Sequence, residues 1–393
     1  MTALIKIIAF VFHIAFTFAF LYLLWRFVLP LPVARGWRLF ISILLLVVSK
    51  VHWINDSLYG NMWSFEAPYS VALFVGWLFC AFVLLFLFVL LGDCLLLLVS
   101  LIRGRQTRNC FAPWVAPVAM ILAVVTSIIG VGNAVRVPDV KHIEVPIADL
   151  PASLDGFRFV QLTDTHISRL FPEKWVNEVV ERTNALSPDL ILFTGDFIDG
   201  TVGDRIADVA PLANLRARFG VLGIPGNHEY YFDYTQWRER LAALGIQLIE
   251  NSHVELPLGD AGLTIVGVTD AAASGYGFSG PDLNLALHGA PKTWPIVLMS
   301  HRPEGALDNA KAGVDLQLSG HTHGGMIAGL NHLGKFANQG FVSGMYDVGD
   351  MRLYVSNGTA LWMGFPMRLG VPAEITEFTL RVAVATRRGV AVE

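Results

Sequence analysis

Five short blocks in the second half of the chain hold residues able to bind metal ions. They are Thr163-Asp164-Thr165-His166, Thr194-Gly195-Asp196, Pro225-Gly226-Asn227-His228-Glu229, Ser300-His301 and Ser319-Gly320-His321-Thr322-His323. The donors are carboxylate, amide oxygen and imidazole, without sulfur. That set suits manganese, zinc or iron better than copper or an iron–sulfur cluster. Seven candidate ligands (Asp164, His166, Asp196, Asn227, His301, His321 and His323) exceed one tetrahedral site. They fit two divalent ions sharing one bridging carboxylate, manganese above all, with zinc, iron or magnesium as alternatives. Two ions about 3.5–4 Å apart clamp the attacking and leaving oxygens of an in-line phosphoryl displacement. A hydroxide between them is a nucleophile at neutral pH, so the chemistry needs no serine or cysteine. A lone Gly-Asp or a single histidine carries little weight, since most histidines are hydrogen-bonded core or surface residues. Five blocks in this order, each after an apolar run, carry much more.

The runs before the blocks read as strands. Residues 157–162, 190–193, 220–224, 296–299 and 314–318 are short, apolar and end in a block. Helical patterns over 173–186, 204–218 and 234–244 separate them, the first stopped by Ser187-Pro188-Asp189. Residues 246–249, 263–268, 354–355 and 375–382 read as further strands without an obvious ligand, and Pro138, Pro146 and Pro151 mark a linker or edge segment. Alternating strands and helices predict an α/β layered core. Ligands in such sheets sit beyond the carboxyl ends of strands, so the pattern brings the seven candidates to one rim.

The first third is of another kind. The 393-residue chain is 54% hydrophobic and 15% charged, against roughly a quarter charged in ordinary globular chains. The excess lies in runs at 7–28, 39–53, 71–102 and 112–131, near the ~20 apolar residues that cross a bilayer. The expectation is an integral membrane protein with a multi-pass α-helical anchor of about four helices over residues 1–136 and a catalytic domain over 137–393. Gly92-Asp93 is the expected exit of the third helix from the hydrocarbon. The first run has too long an apolar core for a cleaved signal peptide. Arg35 and Arg38 lie in one link and Arg103, Arg105 and Arg108 in another. Basic links face the cytoplasm, which puts the catalytic domain on the outer face of the membrane. Few ionisable groups fall in the middle of the runs, His13 being one and Asp93 an ambiguous second, so an anchor is favoured over a transporter. Cys80, Cys94 and Cys110 all fall in this third, which leaves the catalytic part without a thiolate site. Net charge is −4 with no basic stripe, so no nucleic-acid partner is expected.

The blocks D-T-H, G-D-F-I-D, G-N-H-E, S-H and G-H-T-H-G, in that order over roughly 157–380, resemble the calcineurin-like metallophosphoesterase superfamily. The resemblance implies a two-sheet β sandwich flanked by helices. It implies one ion on Asp164, His166, Asp196 and His323, and a second on Asp196, Asn227, His301 and His321, with Asp196 bridging. His228 would steady the transition state or protonate the leaving oxygen, and Asp199 would orient a ligand. Ser356-Asn357-Gly358, Met367-Arg368 and Pro372-Ala373-Glu374-Ile375 are similar to a membrane-linked bacterial branch. Some of its members hydrolyse the pyrophosphate of UDP-2,3-diacylglucosamine in lipid A synthesis. Glu229 stands where many relatives have Asp, and Met326 where this branch often has Gln. Leu170-Phe171, Tyr230-Tyr231-Phe232 and Leu361-Trp362-Met363 with Phe365 read either as an apolar rim for a lipid chain or as core. A phosphorylated, amphiphilic substrate is expected. The rival class is a metal-stabilised, non-catalytic binding or scaffold protein, which would be expected to lack a ligand; none is missing. The remaining histidines, His13, His52, His142, His253, His288 and His332, are expected to be structural or solvated.

Overall fold

The computed structural model describes residues 3–383. It divides into two compact units. The helical unit takes the chain up to Arg136 together with Ser168–Leu170 and Leu361–Gly370, and the second unit takes Val137–Ile167, Phe171–Ala360 and the chain from Val371.

In the helical unit, Ala3–Leu23 runs on through one π turn at Leu24–Val28. The second apolar run becomes two helices, Arg35–Ser49 and Val51–Tyr59, bent by 57° at Lys50. The third and fourth runs join into one 66-residue helical stretch, Tyr69–Ala134, broken at Gly104. Gly104 has φ 83° and ψ 168°, a region that only glycine enters without clash. Phe10–Val28 and Tyr69–Ala134 are long and apolar enough to cross a membrane, and the bent pair makes a third if counted as one. The helix passes through Gly92 and Asp93 and continues over 94–102, as expected of a helix that runs on past that point. Asp93 is held there by an ion pair with Arg26 and by the Tyr22 hydroxyl at 2.6 Å. The segment Leu361–Gly370 belongs with these helices. Trp362 donates to the Trp63 carbonyl at 2.7 Å, His52 Nε2 lies 3.0 Å from the Gly364 carbonyl, and Arg368 N donates to the Gly130 carbonyl at 3.0 Å.

The second unit is a sandwich of two six-stranded sheets. Its strands are β1 (Val140–Ile147), β2 (Arg158–Leu162), β3 (Leu190–Phe193), β4 (Val221–Gly223), β5 (Ile246–Leu248), β6 (Ser252–Leu258), β7 (Ala261–Gly267), β8 (Ile296–Met299), β9 (Leu316–Ser319), β10 (Gly344–Val348), β11 (Met351–Val355) and β12 (Ile375–Val382). The orders are β1-β12-β2-β3-β4-β5 and β10-β11-β9-β8-β7-β6. Strands β2 to β5 run parallel, as do β7, β8, β9 and β11. Buried strands read as continuous apolar runs, and β3 and β8 have the predicted bounds. The inner faces meet in one core that includes Phe159, Leu190, Leu192, Leu222, Val297, Met299, Leu316, Leu318 and Phe378.

Two expectations change. Residues 204–218 form a four-residue helix, Val202–Arg205, and a 3₁₀ turn, Ala210–Asn214, in place of one helix. Pro211 lacks the N–H that a continuing helix would use. Strands β1, β6 and β10 were not expected. All three lie at sheet edges, where half-exposed strands lose their apolar pattern and tolerate Pro146 and Pro257.

Candidate metal centre

Each block leaves the C-terminal end of a core strand: 163–166 after β2, 194–196 after β3, 225–229 after β4, 300–301 after β8 and 319–323 starting on the last residue of β9. The turns are strained. Asp164 (φ 52°), His166 (φ 39°), Asp196 (φ 53°), His321 (φ 67°) and His323 (φ 50°) supply five of the eleven non-glycine positive-φ residues among those described. Such strain persists only where the surroundings over-determine it, and it clusters at functional sites. Here Asp164 N donates to the Gly195 carbonyl at 3.0 Å and His166 N to the Asp196 carbonyl at 3.2 Å. Glu229, fully buried, accepts from the backbone N–H groups of Gly226 (2.7 Å), Phe197 (2.7 Å) and Asp196 (3.1 Å). Gly226 has no room for a Cβ, which would overlap the Asp196 backbone and carboxylate.

Six of the seven candidate ligands converge in two sets. Donor atoms of Asp164, His166 and His323 lie within 4.8 Å of one another, and so do those of Asp196, His301 and His321. One ion with bonds of about 2.0–2.2 Å can draw each set together. Asp196 faces both sets: its Oδ2 is 3.7 Å from His166 Nε2 and 3.2 Å from His301 Nε2. The carboxylate of Asp164 is oriented by the Thr163 hydroxyl at 2.7 Å and by His321 N at 3.1 Å. Asn227 donates from Nδ2 to the Tyr231 hydroxyl at 3.3 Å.

The hydrogen bonds also set the tautomers. His166 Nδ1 donates to Asp199 Oδ1 at 3.1 Å and His301 Nδ1 to the Thr194 carbonyl at 2.8 Å. Both rings are fully buried, and the Nε2 of each makes no hydrogen bond; that of His301 is out of line with Asp196. The Asn227 Oδ1 is likewise buried without a hydrogen bond. Buried polar atoms are nearly always paired, and metal-bound imidazoles characteristically commit the other nitrogen to a carboxylate or carbonyl. The donors therefore fit divalent ions.

The electrostatics agree. Burial alone would depress the His166 and His301 imidazoles, yet the surrounding carboxylates raise His166 to about 9, through Asp199 and Asp196, and His301 to about 10, through Asp196 and Asp164. Burial opposes ionisation of Asp196, and the neighbouring His301 and His228 hold it well below the usual carboxylate range. The pocket favours positive charge at the point where the carboxylates meet.

His228 joins His166 and Asp196 in a third set, and its Nδ1 lies 2.5 Å from Asp199 Oδ1. Two residues without a motif also reach the site. Arg302 lies 2.8 Å from His321 Nε2 and donates to Asp270 at 2.8 Å. Asp270 follows β7, a strand from which no ligand was expected; its one signal is an acidic residue just past a core strand. Of the apolar residues beside the blocks, Leu170, Phe171, Tyr230, Phe232, Leu361 and Met363 are buried, and Tyr231, Trp362 and Phe365 are partly exposed. His142 and His253 have partners of their own, Glu377 and the Ala286 carbonyl.

Residues 157–325 match the calcineurin-like phosphoesterase family. A cattle protein (Bos taurus) described as a transmembrane protein with metallophosphoesterase domain is 36% identical over 67% of this chain and 62% of its own length. A zebrafish protein (Danio rerio) of the same description is 30% identical over 91% of this chain and 81% of its own. An uncharacterized metallophosphoesterase of Campylobacter jejuni is 30% identical over 86% of this chain and 85% of its own. The ligand blocks, the sandwich that carries them and these relatives agree: the chain belongs to the calcineurin-like metallophosphoesterases, a family of phosphoester hydrolases.

Proposed function

We propose that this is a membrane-anchored hydrolase that cleaves a phosphoester or pyrophosphate at a two-metal centre. Asp164, His166, Asp196 and His323 hold one ion and Asp196, Asn227, His301 and His321 the other, with manganese as the first candidate. The observation that carries the reading is the pair of buried donor atoms without hydrogen bonds, His166 Nε2 and His301 Nε2, within one cluster of carboxylates, with Asn227 Oδ1 likewise buried and without a hydrogen bond. The ion pair supplies Lewis acidity toward phosphoryl oxygens and water. The chain's own groups do the rest. Asp196 N and Oδ1 are held by Glu229 and by His228 N at 2.9 Å, which fixes the bridging carboxylate. Asp199 commits His228 Nδ1, so the proton given to the leaving oxygen is the one on Nε2.

The substrate is a phosphorylated amphiphile reached from the bilayer, and the apolar helices support that. Four crossings are supported by the length of Tyr69–Ala134, about 100 Å at 1.5 Å per residue, by its break at Gly104 and by the exposed Arg103 and Arg105 beside it. Four crossings with basic links inside support a hydrolase domain on the outer face of a bacterial inner or plasma membrane. An outward domain favours a lipid-linked phosphoester or pyrophosphate exposed there over a nucleotide-linked lipid such as UDP-2,3-diacylglucosamine, which is made in the cytoplasm.

The test is hydrolysis of bis-(p-nitrophenyl) phosphate by the full chain in detergent with Mn²⁺, beside an Asp196→Asn variant. Activity that disappears in the variant supports the reading. Bound metal without cleavage of aryl phosphates, phosphodiesters or lipid-linked pyrophosphates sinks it.

A further inference from the structure

Arg302 is placed unlike any other cation at the centre. It follows His301 directly, its side chain is 28% exposed, and it is fastened at one end by Nε donating to Asp270 Oδ2 at 2.8 Å. Asp270 is itself buried, with its other oxygen accepting from Ala272 N at 2.7 Å. At the other end Arg302 Nη1 lies 2.8 Å from His321 Nε2. A guanidinium has donors only, so His321 Nε2 must accept, and the ring proton must sit on Nδ1.

That contact excludes an ion at His321. If Nε2 takes the ion, its lone pair is no longer open to Arg302. If Nδ1 takes it, the ring proton moves to Nε2, and two donors then face each other at hydrogen-bond distance. In either tautomer an ion on His321 breaks the Arg302–His321 contact. The guanidinium keeps its Nε bond to Asp270 and has its Nη groups released beside the cluster of Asp196, His301 and His321. A planar fork of N–H donors matches the oxygens of a phosphoryl group, and the reaction puts such a group against that cluster.

We propose that Arg302 grips the phosphoryl group of the substrate, and that filling the site with metal frees it from His321 to do so. The proposal rests on the hydrolase reading above. Asp270 is then a positioning residue that fixes the reach of the fork.

The experiment uses the full chain in detergent, as wild type, Arg302→Gln and Arg302→Lys, each metal-free and loaded with Mn²⁺. Bound metal is measured by plasma emission, and binding of inorganic phosphate by calorimetry. With metal, Arg302→Gln keeps the wild-type metal content and weakens phosphate binding by about tenfold or more, the loss of a charge-assisted hydrogen bond. Arg302→Lys recovers part of it. Without metal, wild type and Arg302→Gln bind phosphate equally weakly, because the arginine is occupied by His321. Phosphate affinity within twofold of wild type in loaded Arg302→Gln overturns the proposal, and so does loss of metal from that variant. A loaded wild type that neither binds phosphate nor cleaves aryl phosphates removes the hydrolase reading and this inference with it. A loaded wild type that does both, beside an unchanged variant, removes this inference alone.

Discussion

Asp199 Oδ1 lies 2.5 Å from His228 Nδ1, and the same oxygen lies 3.1 Å from His166 Nδ1. One buried carboxylate thus sets the tautomer of a candidate ligand and of the candidate acid. An Asp199→Asn substitution keeps the shape and one acceptor oxygen for the two ring N–H groups but removes the charge that strengthens both hydrogen bonds. Outer partners of this kind are worth about 10- to 100-fold in metal affinity or activity. The expected outcome is a fall of that size in kcat on bis-(p-nitrophenyl) phosphate at saturating Mn²⁺, with KM changed less. A variant with wild-type kcat would deny Asp199 its orienting role.

Glu229 ties two loops by one side chain. Its carboxylate accepts from Gly226, Phe197 and Asp196 N–H groups. Glu229→Ala leaves three buried donors unpaired, at a cost of about 1–3 kcal/mol each before relaxation. The thermal midpoint should drop by several degrees, and bound Mn²⁺ should fall with it, because the Asp196 turn loses its anchor. Glu229→Gln, which retains one acceptor oxygen, should lie between the two. An alanine variant as stable as wild type would show that the contacts contribute little.

The close approach of Gly226 to Asp196 makes a separate prediction. A methyl group at residue 226 meets the Asp196 backbone nitrogen and carboxylate, neither of which is the far end of a flexible side chain. Gly226→Ala should therefore displace the Asp196 carboxylate and reduce bound Mn²⁺ well below wild type. Circular dichroism should show the secondary structure intact. Full metal content in Gly226→Ala would mean that the turn can shift without disturbing the ligands.

Much of this was legible in the residues, for physical reasons that differ by region. Core strands such as β3 and β8 are covered on both faces, so their apolar runs mark them without ambiguity, and the blocks at their ends follow from the topology of parallel sheets. Edge strands β1, β6 and β10 have one neighbour and an irregular pattern, which a sequence presents as linker. The bond between Arg302 and Asp270 joins residues 32 positions apart. No spacing rule predicts it, since it depends on β7 and β8 lying side by side. The grouping of Leu361–Gly370 with the helices was hidden for the same reason: Trp362 and Trp63 meet only after folding.

Asp315 gives a pH-dependent prediction away from the metal cluster. Its Oδ2 accepts from Ile296 N at 2.7 Å. Burial raises its pKa above the ordinary value, the Ile296 N–H pulls the other way, and the charge of Asp149 adds to the rise. The folded chain therefore holds this proton to higher pH than the unfolded chain does. Stability falls as pH rises wherever the folded state binds more protons, so ionised Asp315 costs stability once the pH passes its folded pKa. Asp315→Asn can keep the bond to Ile296 N and carries no charge to desolvate. At pH 7 its thermal midpoint should exceed that of wild type by about 2 °C. The difference should shrink as the pH falls into the carboxylate range and vanish below about pH 4, where the aspartate is protonated in both states. The measurement is the midpoint of both proteins in one buffer series. A gain that does not change with pH would assign the effect to packing, and a loss at neutral pH would mean that the Ile296 bond needs the charge.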